Sequence, residues 1–184
     1  MQNDGGTAAE LSALILSCGV GKTAVIGKDQ IVLSADFREI CKSNACGNYG
    51  RCYMCPPDVG DIHELMRRLR TFDTAVMYQS VYPLEDSFDI EGMLAAGKAF
   101  NRISRKIHKE ALKTLAQPFL HLAAGGCGNC ETCAKRENLP CRDPDMALPS
   151  LEAYGVDVYQ TSANAGLKYI NGANTVTYFG MLLI

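Results

Sequence analysis

The chain has no strong charge imbalance, no long apolar run and none of the common catalytic signatures. Its formal net charge is -2 and its pI is near 5.9, which excludes a global basic footprint for nucleic acid or an anionic membrane. The apolar stretch nearest the N-terminus, Leu11 to Cys18, follows Asp4 and Glu10 rather than basic residues. It is too short to span a bilayer and does not read as an export signal, so the expected compartment is the cytoplasm. No G-x-S-x-G elbow, H-E-x-x-H helix or complete G-x-G-x-x-G is present, which removes the commonest hydrolase, zincin and dinucleotide patterns. Gly21-Lys22-Thr23 ends like a phosphate-binding loop, but Leu16 stands where that motif needs its first glycine. Histidine is scarce and dispersed, at His63, His108 and His121. Each is expected to be an ordinary polar residue, including His121, although it precedes Cys127 by only six positions.

Cysteine, by contrast, is abundant. Eight of the nine cysteines form two groups of four: Cys41, Cys46, Cys52 and Cys55, then Cys127, Cys130, Cys133 and Cys141. In a reducing compartment such clusters are expected to be metal ligands rather than disulfides. The ninth, Cys18, stands alone at the expected end of a helix and reads as a small buried residue. With 184 residues and 47% apolar content the chain can bury a core without metal.

Spacing separates the two groups. Cys127-Gly-Asn-Cys130-Glu-Thr-Cys133 opens like the C-x2-C-x2-C run of bacterial ferredoxins, in which a short coil wraps one side of a 4Fe-4S cluster. Gly125, Gly126 and Gly128 ease that wrapping, and Cys141, followed by Arg142 and Pro144, is the nearest fourth thiol. Lys135, Arg136 and Arg142 could offset the charge of a thiolate-bound cluster. Structural zinc, the alternative, ordinarily uses paired C-x2-C knuckles separated by a longer loop. The first group is looser, with four, five and two residues between successive cysteines. It fits a second 4Fe-4S cluster or a zinc site, and thiols of both groups could also share one site.

The expected fold is α/β or α+β: a single domain over 1–184, with a central mixed sheet flanked by helices and two cysteine loops at about 41–57 and 125–144. A helix is expected over residues 7–17 and extended runs over 23–26 and 30–35. Asp61 and Glu64 suggest a capping box for a helix reaching Arg70. A strand is expected over 74–82, a long helix over 91–115, a strand over 119–124 and a buried C-terminal strand over 175–184. The strand–helix–strand order predicts a crossover between parallel strands, leaving the second cysteine group at the carboxyl end of a strand. Lys98, Arg102, Arg105, Lys106, Lys109 and Lys113 form one basic face of the long helix, over 98–113, suited to an acidic redox partner.

The segments Cys46-Gly-Asn-Tyr-Gly-Arg-Cys-Tyr-Met-Cys55-Pro-Pro and Gly126-Cys-Gly-Asn-Cys-Glu-Thr-Cys133, with Cys141-Arg-Asp-Pro144 and Ser150-Leu-Glu-Ala-Tyr-Gly-Val-Asp157, resemble an uncharacterised prokaryotic family of cysteine-rich predicted metal-binding proteins. The resemblance implies metal binding by cysteine without naming a reaction. It also implies that Cys52 is the least required ligand of the first group. Three thiolates there would leave one iron open to another ligand or a substrate.

The expected function is therefore electron transfer or redox support in anaerobic metabolism, through one or two 4Fe-4S clusters. Alternatives are a structural zinc module and an enzyme working at an open iron or a bound corrinoid. The D-x-H-x-x-G signature of one cobalamin-binding class is absent.

Overall fold

Two strands that are apolar on both faces organise the molecule, which we describe from a computed structural model covering residues 4–184. They are β2 (Thr74–Pro83) and β4 (Thr175–Leu183), with β1 (Lys22–Gly27) and the short β3 (Leu120–Leu122) at the edges, in the order β1-β2-β4-β3. The first three residues of the expected single-domain span lie outside the described residues.

Every hydrogen-bonded pair of these strands is antiparallel, so the expected mixed sheet is corrected to an antiparallel one and the fold is α+β. The crossover is still recognisable. Strands β2 and β3, joined through helix α4 (Ile90–Thr114), both run antiparallel to β4 and hence parallel to each other. The C-terminal strand has entered between them. Its apolar residues Phe179 and Met181 face one side and Leu182 the other, and only a central position covers both faces.

Helix α1 (Asp4–Ser17) and α4 cover one face, where Leu11, Ile15, Phe100, Ile107 and Ala111 pack on Val76, Tyr78 and Leu182. Cys18 is buried in this layer, as expected. The opposite face carries Ala75, Met77, Phe179, Met181 and Leu183 against Leu65 and Leu69 of α3 (Ile62–Leu69) and Leu151, Tyr154 and Val156. The α3 start is fixed by Asp61, whose carboxylate accepts from the His63 and Glu64 N–H groups at 2.9 and 3.1 Å. The expected capping box forms only in this half, since Glu64 turns instead to Arg67.

The extended run expected at 30–35 does not join the sheet. It forms a 3-10 turn at Lys28–Gln30 and one bridge between Leu33 and Val156. Side chains occupy its backbone groups: Arg70 donates to the Ile31 carbonyl at 3.0 Å, and Val32 N–H donates to Thr161 Oγ1 at 3.1 Å. Gly21-Lys22-Thr23 enters a strand rather than opening a helix, which confirms that it is no phosphate loop. No helix among the described residues is long and apolar enough to cross a membrane.

Candidate metal centre

Both cysteine segments lie beyond the carboxyl end of β3, outside the regular layers. The chain leaving β3 is held beside residues 149–151: Ala123 N–H donates to the Pro149 carbonyl at 2.8 Å, and Leu151 N–H donates to the Ala123 carbonyl at 3.0 Å. This parallel bridge sets Ser150 and Glu152 beside Gly125 and Gly126. Cys41 enters from the last turn of helix α2 (Phe37–Lys42). The following coil folds back on itself, with Gly50 N–H donating to the Pro56 carbonyl at 2.8 Å and Cys55 N–H to the Cys52 carbonyl at 3.0 Å.

The second loop closes through polar ties. Asn129 Nδ2 donates to Asp143 at 3.0 Å, and Arg142 donates to the Thr132 carbonyl at 2.8 Å. These bonds return Cys141 to Cys130 and Cys133 despite the seven residues between Cys133 and Cys141. The two loops are in turn joined to each other. Tyr53 donates to the Leu139 carbonyl at 2.7 Å, Lys135 pairs with Asp58, and the Lys135 ammonium lies 5.4 Å from the Tyr53 ring centre. A Cβ on Gly126 would sit 3.0 Å from the Asn48 amide, so glycine is what lets the loops close here.

This packing regroups the cysteines. Cys127, Cys130, Cys133 and Cys141 line one cavity as anticipated, but Cys52 lines it with them. Cys41, Cys46 and Cys55 line a neighbouring cavity of about 240 Å3, together with Tyr49, Ser150 and Glu152. The sequence division of four and four thus becomes three and five. Cys52 is buried and lies between the two neighbourhoods, close to Cys55 on one side and Cys133 on the other.

The thiols differ electrostatically. The Cys55 hydrogen bond holds the Cys52 thiol low, assisted by the backbone N–H groups of Cys127 and Met54. The same contact and burial drive Cys55 upward, so the pair favours one proton, retained on Cys55. Burial also raises Cys127, although the Asn129 and Leu148 backbone N–H groups approach it. Burial likewise raises Cys41.

These groups suit a thiolate-bound metal centre. Backbone N–H donors already aim at Cys52 and Cys127 sulfurs, an arrangement that tunes iron–sulfur sites. Among the described residues no three His, Cys, Asp or Glu side chains converge on a point that would hold a single ion. The cavity bounded by the five thiols is small, about 30 Å3, so a cluster there requires the second loop to open.

Of the cations expected to offset cluster charge, Lys135 is committed to Asp58, Arg142 also meets Glu137 at 3.2 Å, and Arg136 is exposed. Arg105 reaches the site instead, donating to the Cys127 carbonyl at 3.4 Å. His121 is turned away into the core. Sequence reasoning missed Glu152 and Ser150, whose position depends on the bridge beside Ala123; the only signal was their place in the Ser150–Asp157 segment.

An α+β domain with eight clustered thiols at one end of its sheet defines a cysteine-rich metal-binding protein as a class. The family model described as Predicted metal-binding protein (DUF2284) matches residues 24–184, and the chain belongs to this family. No match was found among curated proteins or among solved structures.

Proposed function

We propose that the protein is an iron–sulfur electron carrier or redox accessory with two adjacent 4Fe-4S centres. The observation that carries this reading is the pair of neighbouring thiol-lined cavities, with the Cys52 side chain between them. Cys127, Cys130, Cys133 and Cys141 would hold one cluster and Cys41, Cys46 and Cys55 the other. When bound, such clusters supply one-electron transfer at potentials set by ligation, hydrogen bonding and burial.

The chain's own residues set those conditions. Backbone N–H groups of Asn129 and Leu148 direct positive dipoles at Cys127, and Arg105 places a cation beside its carbonyl. The Cys52–Cys55 turn contributes one thiol to each cavity, which favours exchange of electrons between them. The spread of thiols around cavities also favours a polynuclear cluster, because each thiolate then binds a different iron. A single zinc ion would need all its sulfurs at about 2.3 Å from one point.

The basic face of α4 lies against the second site through Arg105, while Lys98, Arg102 and Lys109 are exposed. It suits docking of an acidic redox partner. Lys106 lies 3.5 Å from the Cys18 carbonyl and Lys113 pairs with Glu110, so the free part of this face is smaller than the sequence suggests.

Anaerobic reconstitution followed by electron paramagnetic resonance of the reduced protein tests the proposal. Two interacting paramagnetic centres are expected, and Cys130→Ser should remove one and abolish the interaction. A reconstituted chain silent on reduction, or a Cys130→Ser variant with an unchanged spectrum, would contradict it.

A further inference from the structure

We propose that the carboxylate of Glu152 completes the first centre as its fourth, oxygen ligand beside the thiolates of Cys41, Cys46 and Cys55. This inference rests on the iron–sulfur reading above and assigns the ligand set of one of its two sites.

The first cavity is one thiol short. Cys52, the fourth cysteine of the sequence group, is only 4% exposed and lines the other cavity. Among the residues lining the first cavity, Glu152 supplies the one carboxylate; the rest are the three cysteines, Tyr49, Pro56, Gly125, Gly126, Ser150 and Ala153. Glu152 and the three thiols thus share one cavity, with Ser150 and Ala153 beside the carboxylate.

Glu152 is also held firmly. Gly155 N–H donates to its carbonyl at 2.9 Å, Ala153 N–H donates to Ser150 Oγ at 3.1 Å, and Ser150 bridges to Ala123 at the end of β3. Ser150 lines the same cavity beside it.

Among the ion pairs of the described residues none includes Glu152. The nearby Arg38 donates to the Ala153 carbonyl at 3.4 Å and lies beside Cys41 instead. A substantially buried carboxylate with a serine hydroxyl but no cation carries a desolvation cost that a bound metal would offset. A carboxylate is a harder and weaker ligand for iron than a thiolate. The iron it holds is therefore the exchangeable one, and the cavity of about 240 Å3 around it admits a small coordinating molecule. The first centre becomes the reactive site and the second, with cysteine ligands throughout, the electron reservoir.

The test uses the full chain, anaerobically reconstituted, in wild-type, Glu152→Cys and Glu152→Gln forms. Limited ferricyanide removes one electron from a [4Fe-4S]2+ cluster, is itself reduced to ferrocyanide, and lets one ferrous ion leave a [3Fe-4S]+ cluster. The wild type should release one iron per chain and develop the signal of the three-iron cluster. Glu152→Cys should resist by at least tenfold in rate, because thiolate replaces carboxylate. Glu152→Gln should release the iron faster or bind one fewer from the start. Equal iron release and equal spectra in all three forms would overturn the role of Glu152 while leaving the iron–sulfur reading intact. Wild-type protein devoid of acid-labile sulfide would overturn both.

Discussion

Individual side chains divide between those that line the thiol-rich cavities and those that serve the core, and His121 belongs to the core. It is 3% exposed, and its Nε2 lies 2.8 Å from the Tyr78 hydroxyl, which is 2.9 Å from Ser104 Oγ. A carbonyl can only accept, so His108 Nε2–H donates to Asp145 O at 2.9 Å. His121 Nδ1 lies 3.3 Å from His108 Nδ1, and its Nε2 is hydrogen-bonded to the Tyr78 hydroxyl. Burial, with a smaller contribution from His108, pulls His121 down to about 3. Its ordinary value is about 6.5. The unfolded chain therefore takes up a proton below pH ~6.5 that the folded chain refuses, and stability falls as pH drops from there towards about 3. Urea unfolding of the metal-free chain should show this loss, on the order of a few kcal/mol across the interval. His121→Gln should flatten the profile, and a variant with the wild-type slope would remove His121 as the cause. The sequence placed His121 correctly among ordinary polar residues. Its partners on β2 and α4 are 43 and 13 residues away, however, and no local pattern announces them.

At the level of elements, β4 is the most constrained strand and the second cysteine loop the least. Gly180 faces Tyr78 across β2 and β4, and an added Cβ there would run into the Tyr78 ring. Gly180→Ala should cost about 1–3 kcal/mol through overpacking, read as a lower denaturation midpoint with unchanged slope. An unshifted midpoint would show that the ring moves freely. The segment 125–144 contains only the 3-10 turn Ala134–Glu137 and the start of another at Pro144–Met146. With no strand or α-helix to resist it, this loop can open around a cluster, and hydrogen exchange over 127–141 should slow on loading by tenfold or more while β2 and β4 stay unchanged. Equal exchange in metal-free and loaded protein would contradict cluster binding there. Strand positions, the long helix and the buried C-terminus were all legible from apolar periodicity. Sheet order was not, because a strand apolar on both faces announces burial without saying which neighbours it takes. The run at 30–35 failed for a related reason: Ile31 satisfies the core from a coil once Arg70 and Thr161 take its backbone groups.

Across the whole molecule, the cysteine pattern marked the thiol-rich end but not its internal division. Sequence spacing grouped Cys52 with Cys55, whereas the packing of one loop on the other, through Tyr53, Lys135 and Asn48, carries Cys52 to the second cavity. That contact spans some 80 residues of chain, with Tyr53 and Leu139 86 apart, and lies beyond any motif. The same scale governs electron exchange with partners. Reduced protein should donate faster to anionic iron–EDTA than to cationic hexaammineruthenium at low salt, and Arg102→Glu with Lys109→Glu should shift this preference several-fold. A preference unmoved by the two substitutions would place the docking face elsewhere. Whether seven of the eight clustered thiols hold two iron–sulfur clusters is read most directly from metal and acid-labile sulfide content after anaerobic purification. About eight iron and eight sulfide per chain are expected, four of each per cluster. Colourless protein holding zinc and no sulfide would contradict it.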